Sequence, residues 1–344
     1  MADQYQVGDR VEYRPIGGEN DNVSTSTGEI VEITEANFVV VVTGGGTGIG
    51  LMTAQAFANN GARVYIVGRR QEALDQAIKA HGQNLLNGGK FIPIVGDTSH
   101  KEGAIKIAQE IASKEKHVNV LINNAGVATK ARIDVSKAED PTSFSEELLR
   151  SDENEWSSIY AVNVVGYYLM TAAFLPLLSA ATKAVKGYSG CVINIASISG
   201  TTYLSQGQPA YNVSKAAVTH LTHIMAGELS RPSFKVRVNA ISPGIFPSEM
   251  TTKDSGEDQK SHIPAEGFGE KKGVPAGRPG KDDDIAQAVL LLATNTYING
   301  QNGSLHKQQF TPILFADDYG LGWAQIFNGR SGDNILFYRK RKKF

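Results

Sequence analysis

A phenol and an ammonium stand four residues apart in Tyr211-Asn212-Val213-Ser214-Lys215. On a helix that spacing puts both side chains on one face. A free tyrosine titrates near ~10, too high for a ready base at neutral pH. A nearby ammonium favours the phenolate and lowers that value. In the opposite sense, the same phenol can hand its proton to an alkoxide as it develops. Upstream, Val192-Ile193-Asn194-Ile195-Ala196-Ser197 is an apolar run that ends in a hydroxyl. Open α/β sheets bind ligands at the carboxyl ends of their strands. A serine there can hold and align a carbonyl oxygen, or it can simply open a loop. A Tyr-x-x-x-Lys pair is not specific by itself, since roughly one is expected by chance in a chain of this length.

A second cluster is Thr43-Gly44-Gly45-Gly46-Thr47-Gly48-Ile49-Gly50. It follows the apolar run Phe38-Val39-Val40-Val41-Val42 and opens a helical pattern from Leu51 to Asn59. Strand, glycine turn and helix start are the first half of a dinucleotide-binding unit. Glycines let the backbone turn sharply and approach a pyrophosphate without Cβ atoms in the way. The helix start offers free N–H groups and a positive dipole end. An ordinary turn between strand and helix would look the same in isolation.

The elements that would hold these residues alternate. Short Val- and Ile-rich strands are expected at 38–43, 63–67, 91–95, 118–122, 190–196 and 235–241. Helical patterns lie between and after them, at 49–59, 70–80, 101–115, 152–181, 210–230 and 282–294. Such alternation predicts a doubly wound α/β fold, a Rossmann-type parallel sheet with helices on both faces. Asp282-Asp283-Asp284 opens the last helix, where carboxylates suit the positive dipole end better than they suit a metal.

Composition narrows the function classes. A chain of 344 residues, 41% hydrophobic and 20% charged, can bury one large core or two modest ones. A formal net charge of -1 favours neither nucleic acid nor an anionic membrane. The start lacks a charged-then-apolar leader, and no apolar run reads as long enough to span a bilayer, so a cytoplasmic protein is expected. Cys191 is the one cysteine, which excludes an internal disulfide and a cysteine-based zinc site. His220 and His223 share a helix face, but nothing with ligand spacing accompanies them, and no metal is expected.

Taken in order, Thr43-Gly44-x-x-x-Gly48-x-Gly50, Asn123-Asn124-Ala125-Gly126, Asn163, Ser197, Tyr211-x-x-x-Lys215 and Pro243-Gly244 closely resemble the motifs of the short-chain dehydrogenase/reductase family. The resemblance covers about residues 37–303. It implies a Rossmann fold and hydride transfer between a nicotinamide and a small-molecule carbonyl or alcohol. It implies Tyr211 as general acid/base and Lys215 as the group that lowers its pKa and holds the nicotinamide ribose. Ser197, three residues before Gly200 as in the family pattern, would orient the substrate oxygen, and Asn163 would support a proton relay through water. The cofactor would meet Thr43, Gly44, Gly46, Thr47, Gly48, Ile49 and Gly50 in the first turn, and Pro243 and Gly244 later. Asp97 matches the family's adenine-contacting aspartate. Asn123, Ala125 and Gly126 would lie beside the adenine ribose, although sheet stabilisation suits Asn123 equally well.

The family places an aspartate after the second strand when it binds NAD. Here Val67-Gly68-Arg69-Arg70 has glycine there and arginines next. A guanidinium can bind a 2′-phosphate that a carboxylate would repel, so NADP(H) is favoured over NAD(H), with Arg69 as the contact. The alternative is that both arginines begin a solvated helix. The stretch from Phe246 to Gly280 corresponds to the family's substrate lid, and its wording is similar to the 3-oxoacyl reductase and rhamnolipid-pathway branch and to fungal members.

The ends depart from the family. Residues 1–36 hold two strand-like pieces, Arg10–Tyr13 and Gly28–Ile33, and resemble an SH3- or Tudor-like fragment, or a flexible appendage. Residues 304–344 form an atypical extension whose basic terminus reads as a frayed tail more readily than as a nucleic-acid patch. The family's last strand reads as missing, or replaced by Thr311–Phe315. Because that region often builds a dimer or tetramer interface, the oligomeric state stays open. The rival to an oxidoreductase is a nucleotide-binding scaffold or sensor that uses these ends for interactions.

Overall fold

Four valines and a threonine in succession suit a strand buried on both faces, and Val39–Thr43 is buried along its whole length. The computed structural model describes residues 10–13, 26–29 and 38–305, apart from 131, 186, 204, 269–273 and 275. Near the amino end, β1 (Arg10–Tyr13) pairs antiparallel with β2 (Ser26–Glu29). The chain then alternates through β3 (Val39–Thr43), α1 (Gly48–Asn59), β4 (Arg63–Gly68), α2 (Gln71–His81), β5 (Lys90–Val95), α3 (Lys101–Ala112) and β6 (Val120–Asn123). Three helices follow, α4 (Pro141–Leu149), α5 (Glu153–Tyr160) and α6 (Gly166–Ala184), before β7 (Cys191–Ile195), α7 (Pro209–Leu229) and β8 (Arg237–Pro243). The short α8 (Glu249–Thr252), α9 (Asp282–Thr294) and β9 (Asn302–Leu305) complete it.

The seven strands β3 to β9 form one parallel sheet in the order β5-β4-β3-β6-β7-β8-β9. The order reverses direction between β3 and β6, the place where such sheets open a ligand crevice. Alternate residues of β3 feed the two cores. Val40 and Val42 pack with Leu51 and Phe57 of α1 and Ile285 and Val289 of α9. Val39 and Val41 pack with Ile107 of α3, Phe174 of α6 and Met225 of α7. Each such side chain contributes about 1.5–3 kcal/mol on burial. Pro93 lies in β5, an edge strand, where its missing N–H is harmless.

Three expectations change. The last strand is neither missing nor replaced. β9 pairs parallel with β8, and the N–H of Gly244 donates to Leu305 O at 2.8 Å. Its sequence, Asn-Gly-Ser-Leu, carries little apolar signal because an edge strand here serves through backbone hydrogen bonds. The sheet therefore extends past residue 303, and the proposed replacement at 311–315 lies outside the described residues. Second, the single helix expected over 152–181 is α5, a π-helical stretch at Ala161–Val165, and α6. This run, Glu153–Ala184, does have the length and composition of a bilayer span, contrary to the sequence reading. It earns its apolar content otherwise, since Met170, Phe174 and Leu178 pack against the sheet. Third, α4 went unforeseen because it buries no residue. Its start signal is local: Asp140 accepts from Thr142 N at 2.7 Å and Ser143 N at 3.0 Å, with Pro141 in the first turn.

Arg237 joins the sheet to α9. It is buried, and its guanidinium donates to Leu292 O at 2.7 Å, Ala293 O at 2.9 Å, Ile298 O at 3.1 Å and Ser189 Oγ at 2.8 Å. A cation at a helix carboxyl end also meets the dipole favourably. Replacing Arg237 with Met leaves these carbonyls unanswered and is expected to cost about 3 kcal/mol, read as the loss in denaturant-unfolding stability. A loss below about 0.5 kcal/mol would show that the helix end is satisfied in another way.

Candidate functional site

The carboxyl ends of β3, β6, β7 and β8 face one crevice, and the turn after β3 forms its floor. Gly44 has φ 64°, a left-handed conformation that favours glycine. A Cβ on Gly50 would sit 2.0 Å from Gly44 O, so only glycine lets α1 start this close to the turn. No acidic residue occupies the first turn of α1, and the Thr47 side chain makes no capping hydrogen bond. The first N–H groups of α1 are thus left to an incoming anion.

Two adjoining cavities fill the crevice. One, of about 210 Å³, lies between Gly46, Gly68, Arg69, Arg70, Asp97 and Thr98. The other, of about 610 Å³, opens over Ser197, Tyr211 and Lys215 and is walled by Gly244, Phe246, Met250 and Phe268. Gly44, Thr47, Ala125, Gly126 and Glu249 line both. The glycine-floored crevice with a helix start beneath it fits a dinucleotide. Within the smaller cavity, Asp97 accepts from Ser99 N at 2.9 Å and Ser99 Oγ at 2.7 Å. Burial pushes its carboxyl up, but these bonds and the Arg69 charge outweigh that and hold it below the usual range. Arg70 is engaged by Glu249, with Nη2 at 2.9 and 2.8 Å from the two carboxylate oxygens.

The larger cavity holds the hydroxyl and ammonium groups. Ser197 follows β7 and opens a short 3-10 turn, Ile198–Gly200, while Tyr211 and Lys215 lie in the first two turns of α7. Ser197 and Tyr211 line this cavity together. Beneath them Lys215 Nζ donates to Ile195 O at 2.8 Å and lies 5.9 Å from the centroid of the Tyr211 ring. Tyr167 of α6 comes within 3.5 Å of the same Nζ. The expected depression of the Tyr211 pKa does not occur in this state. Burial raises the phenol above its ordinary value, with the Ser197 side chain pulling the other way. Burial also lowers Lys215 to about 7. A half-charged lysine offers less field to the phenol, which is why the simple pairing argument falls short.

Several sequence-selected residues stand in the crevice: Gly44, Gly46, Thr47, Gly48, Ile49, Arg69, Asp97, Ala125, Gly126, Ser197, Tyr211, Lys215, Pro243 and Gly244 all line it. Others sit behind it. Asn123 is fully buried and donates to Tyr167 O, Thr171 Oγ1 and Asn194 Oδ1, so of its two readings sheet stabilisation fits, not ribose contact. Thr43 lines neither cavity; its hydroxyl accepts from the N–H groups of Asn124 at 2.9 Å and Ala125 at 3.0 Å, fastening that turn to β3. Gly50 likewise acts through packing. Asn163, in the π-helical stretch, donates to Val127 O and Ser214 Oγ and accepts from Val127 N, which pins the loop after Gly126. Asn124, Arg132, Gln208 and Glu249 line the crevice without having been singled out. Only Glu249 had a signal, a carboxylate at the start of the lid.

A parallel Rossmann sheet with this serine, tyrosine and lysine at its carboxyl edge defines a nicotinamide-dependent oxidoreductase. Residues 38–259 match the family pattern described as short chain dehydrogenase, and the chain belongs to the short-chain dehydrogenase/reductase family, enzymes acting on CH–OH and C=O groups. Among curated relatives, the short-chain dehydrogenase/reductase PhomF′ of Diaporthe leptostromiformis is 35% identical over 74% of this chain and 85% of its own length. The 3-oxoacyl-[acyl-carrier-protein] reductase FabG of Thermotoga maritima is 29% identical over 76% of this chain and 94% of its own. A solved Pseudomonas aeruginosa RhlG/NADP active-site complex superposes with a TM-score of 0.62, 29% identity, covering 78% of this chain and 95% of that one.

The buried lysine has a pH signature. Below about pH 7 both folded and unfolded chains carry its charge. Between about 7 and 10.5 the unfolded chain holds a proton the folded one lacks, so stability rises with pH. The slope is at most about 1.4 kcal/mol per pH unit. Melting of the wild type from about pH 7 to 9.5 should therefore climb relative to Lys215→Met, which lacks the titration. Parallel curves would remove the depressed lysine from the account.

Proposed function

We propose that this protein is an NADP(H)-dependent carbonyl reductase in which Tyr211 is the general acid in reduction and the general base in oxidation. The observation that carries the reading is that Ser197 and Tyr211 line the larger cavity together with the buried Lys215, whose Nζ is anchored on Ile195 O and lies 5.9 Å from the centroid of the Tyr211 ring. The nicotinamide cofactor, when bound, supplies or accepts the hydride. A substrate carbonyl in the cavity accepts hydrogen bonds from the Ser197 and Tyr211 hydroxyls, which polarise it. As negative charge develops on that oxygen, the Tyr211 proton moves to it. The phenolate left behind is stabilised by the Ser197 hydroxyl and by Lys215 in its charged form. Lys215 is also the donor that would hold the nicotinamide ribose. The Asn163 side chain is fully engaged with Val127 and Ser214, so its contribution to a water-borne relay would run through the main chain.

The preference for NADP(H) rests on Gly68 and Arg69. The end of β4 offers no carboxylate to a ribose 2′-hydroxyl, and Arg69 lines the smaller cavity. The NADP in the RhlG complex, a relative with 29% identity, supports the same choice. Residues 38–305 are proposed as the catalytic unit, acting on small molecules in the cytoplasm.

Tyr211→Phe keeps the ring and removes the proton donor. Turnover of any reduced ketone is expected to fall by about 10² to 10⁴ with NADPH binding retained. Near-normal turnover by this variant would dismiss Tyr211 as the acid. For cofactor choice, Arg69→Ala should lose about 1.5–3 kcal/mol of NADPH affinity, with little change for NADH. Dissociation constants for both cofactors, measured by fluorescence titration, check this. Equal losses for the two would refute the phosphate contact.

A further inference from the structure

The larger cavity carries polar groups that the hydride-transfer chemistry leaves unused. Among the described residues, three charged side chains line it: Arg132, Lys215 and Glu249. Lys215 lies beneath Tyr211 on Ile195 O, and Glu249 is neutralised by Arg70. Arg132 has neither a hydrogen bond nor an ion pair among the described residues, so it is an uncompensated cation among the described residues of this wall. A second, independent feature stands beside it. Gln208 is 8% exposed and lines the same cavity, yet its side-chain amide has no hydrogen-bond partner among the described residues. Its amide is not sealed inside the fold but reaches the cavity, where it can both donate to and accept from a ligand.

Both residues are held in place by the backbone. The N–H of Ile133 donates to Gly207 O at 3.1 Å, stapling the loop after β6 to the loop before α7. At that staple a Cβ added to Gly207 would lie 3.1 Å from Cβ of Arg132, so the Arg132 main chain rests directly against Gly207. Gln208 immediately precedes α7, and Tyr211 follows one turn later. Arg132 is exposed and Gln208 is buried one turn before Tyr211, and both line the cavity.

An unpaired guanidinium suits a carboxylate, which it can bind through two parallel hydrogen bonds. We propose that the substrate is an oxo acid: its carboxylate pairs with Arg132, and Gln208 hydrogen-bonds a polar group near the reacting carbonyl. This rests on the reductase reading above. The reaction balances as before: the carbonyl carbon gains a hydride from the reduced nicotinamide, the oxygen gains the Tyr211 proton, and a hydroxy acid leaves. The apolar walls, with Ile198, Phe246 and Phe268, suit a hydrocarbon segment between the two oxygen functions.

The test uses matched pairs, 4-acetylbenzoate with its methyl ester and 6-oxoheptanoate with its methyl ester. NADPH-dependent reduction by the full chain should favour each acid over its ester at least tenfold in kcat/KM. Arg132→Gln should cut that acid-to-ester ratio by about tenfold, with Arg132→Lys recovering part of it. Gln208→Met should raise KM for acid and ester alike. Calorimetry of 4-acetylbenzoate on the NADP⁺-loaded protein gives a readout independent of turnover: binding is expected in the wild type and about tenfold weaker in Arg132→Gln. Reduction of the esters without preference for the acids, or a preference that survives Arg132→Gln, overturns the oxo-acid assignment and leaves the reductase standing. Failure to reduce any of the four, with 4-acetylbenzoate still bound through Arg132, overturns the reductase reading instead. No reduction and no binding overturn both.

Discussion

The rest of the site depends on burying one lysine. Lys215 Nζ donates to the last carbonyl of β7, Ile195 O, and so ties the first turns of α7 to the carboxyl edge of the central sheet. Desolvation that lowers its pKa to about 7 is a cost in the unliganded protein. In return the ammonium is held beside the Tyr211 ring in the cavity that Ser197 also lines. A hydrogen-bonded main-chain carbonyl is a better anchor for such a group than a carboxylate. A carboxylate would neutralise the ammonium outright, whereas a carbonyl leaves its charge free to answer a phenolate.

The layers outside that contact serve it in turn. Thr43, Asn124 and Asn123 are polar residues placed where strands end, and their side chains bond strands and turns to one another. Thr43 fastens the turn carrying Ala125 and Gly126, and Asn163 fastens the residue after it. The backbone lining the shared part of the two cavities is therefore pinned from both sides. That is the rigidity a hydride transfer needs, because small displacements of the reacting atoms are costly.

What the sequence disclosed follows from how each signal arises. β3 is readable because burial on both faces demands apolar residues throughout, and the glycine turn because Gly44 and Gly50 have no substitute there. Tyr211 and Lys215 are readable because helical spacing alone brings them together. β9 was not, since an edge strand held by backbone bonds to β8 imposes almost nothing on its side chains. Asn123 and Thr43 could not be separated from ligand contacts by motif, because only the fold decides which way a polar side chain at a strand end points. The acid/base pair was half legible: spacing predicts proximity, but the burial that raises Tyr211 and lowers Lys215 is a property of the assembled core.

The charges of the cofactor end show the same dependence on assembly. In sequence Arg69 and Arg70 are adjacent and equivalent. In the fold they differ, because Arg70 is taken by Glu249, a residue 179 positions later, while Arg69 faces Asp97, whose carboxylate is already held by Ser99. Of these two guanidiniums lining the smaller cavity, one is therefore engaged in an ion pair and the other neighbours a carboxylate satisfied elsewhere. The Arg70–Glu249 pair is largely exposed and worth at most about 1 kcal/mol. Glu249, the first residue of α8, lines the larger cavity as well as the smaller one. The two cavities are joined by a side chain as well as by space.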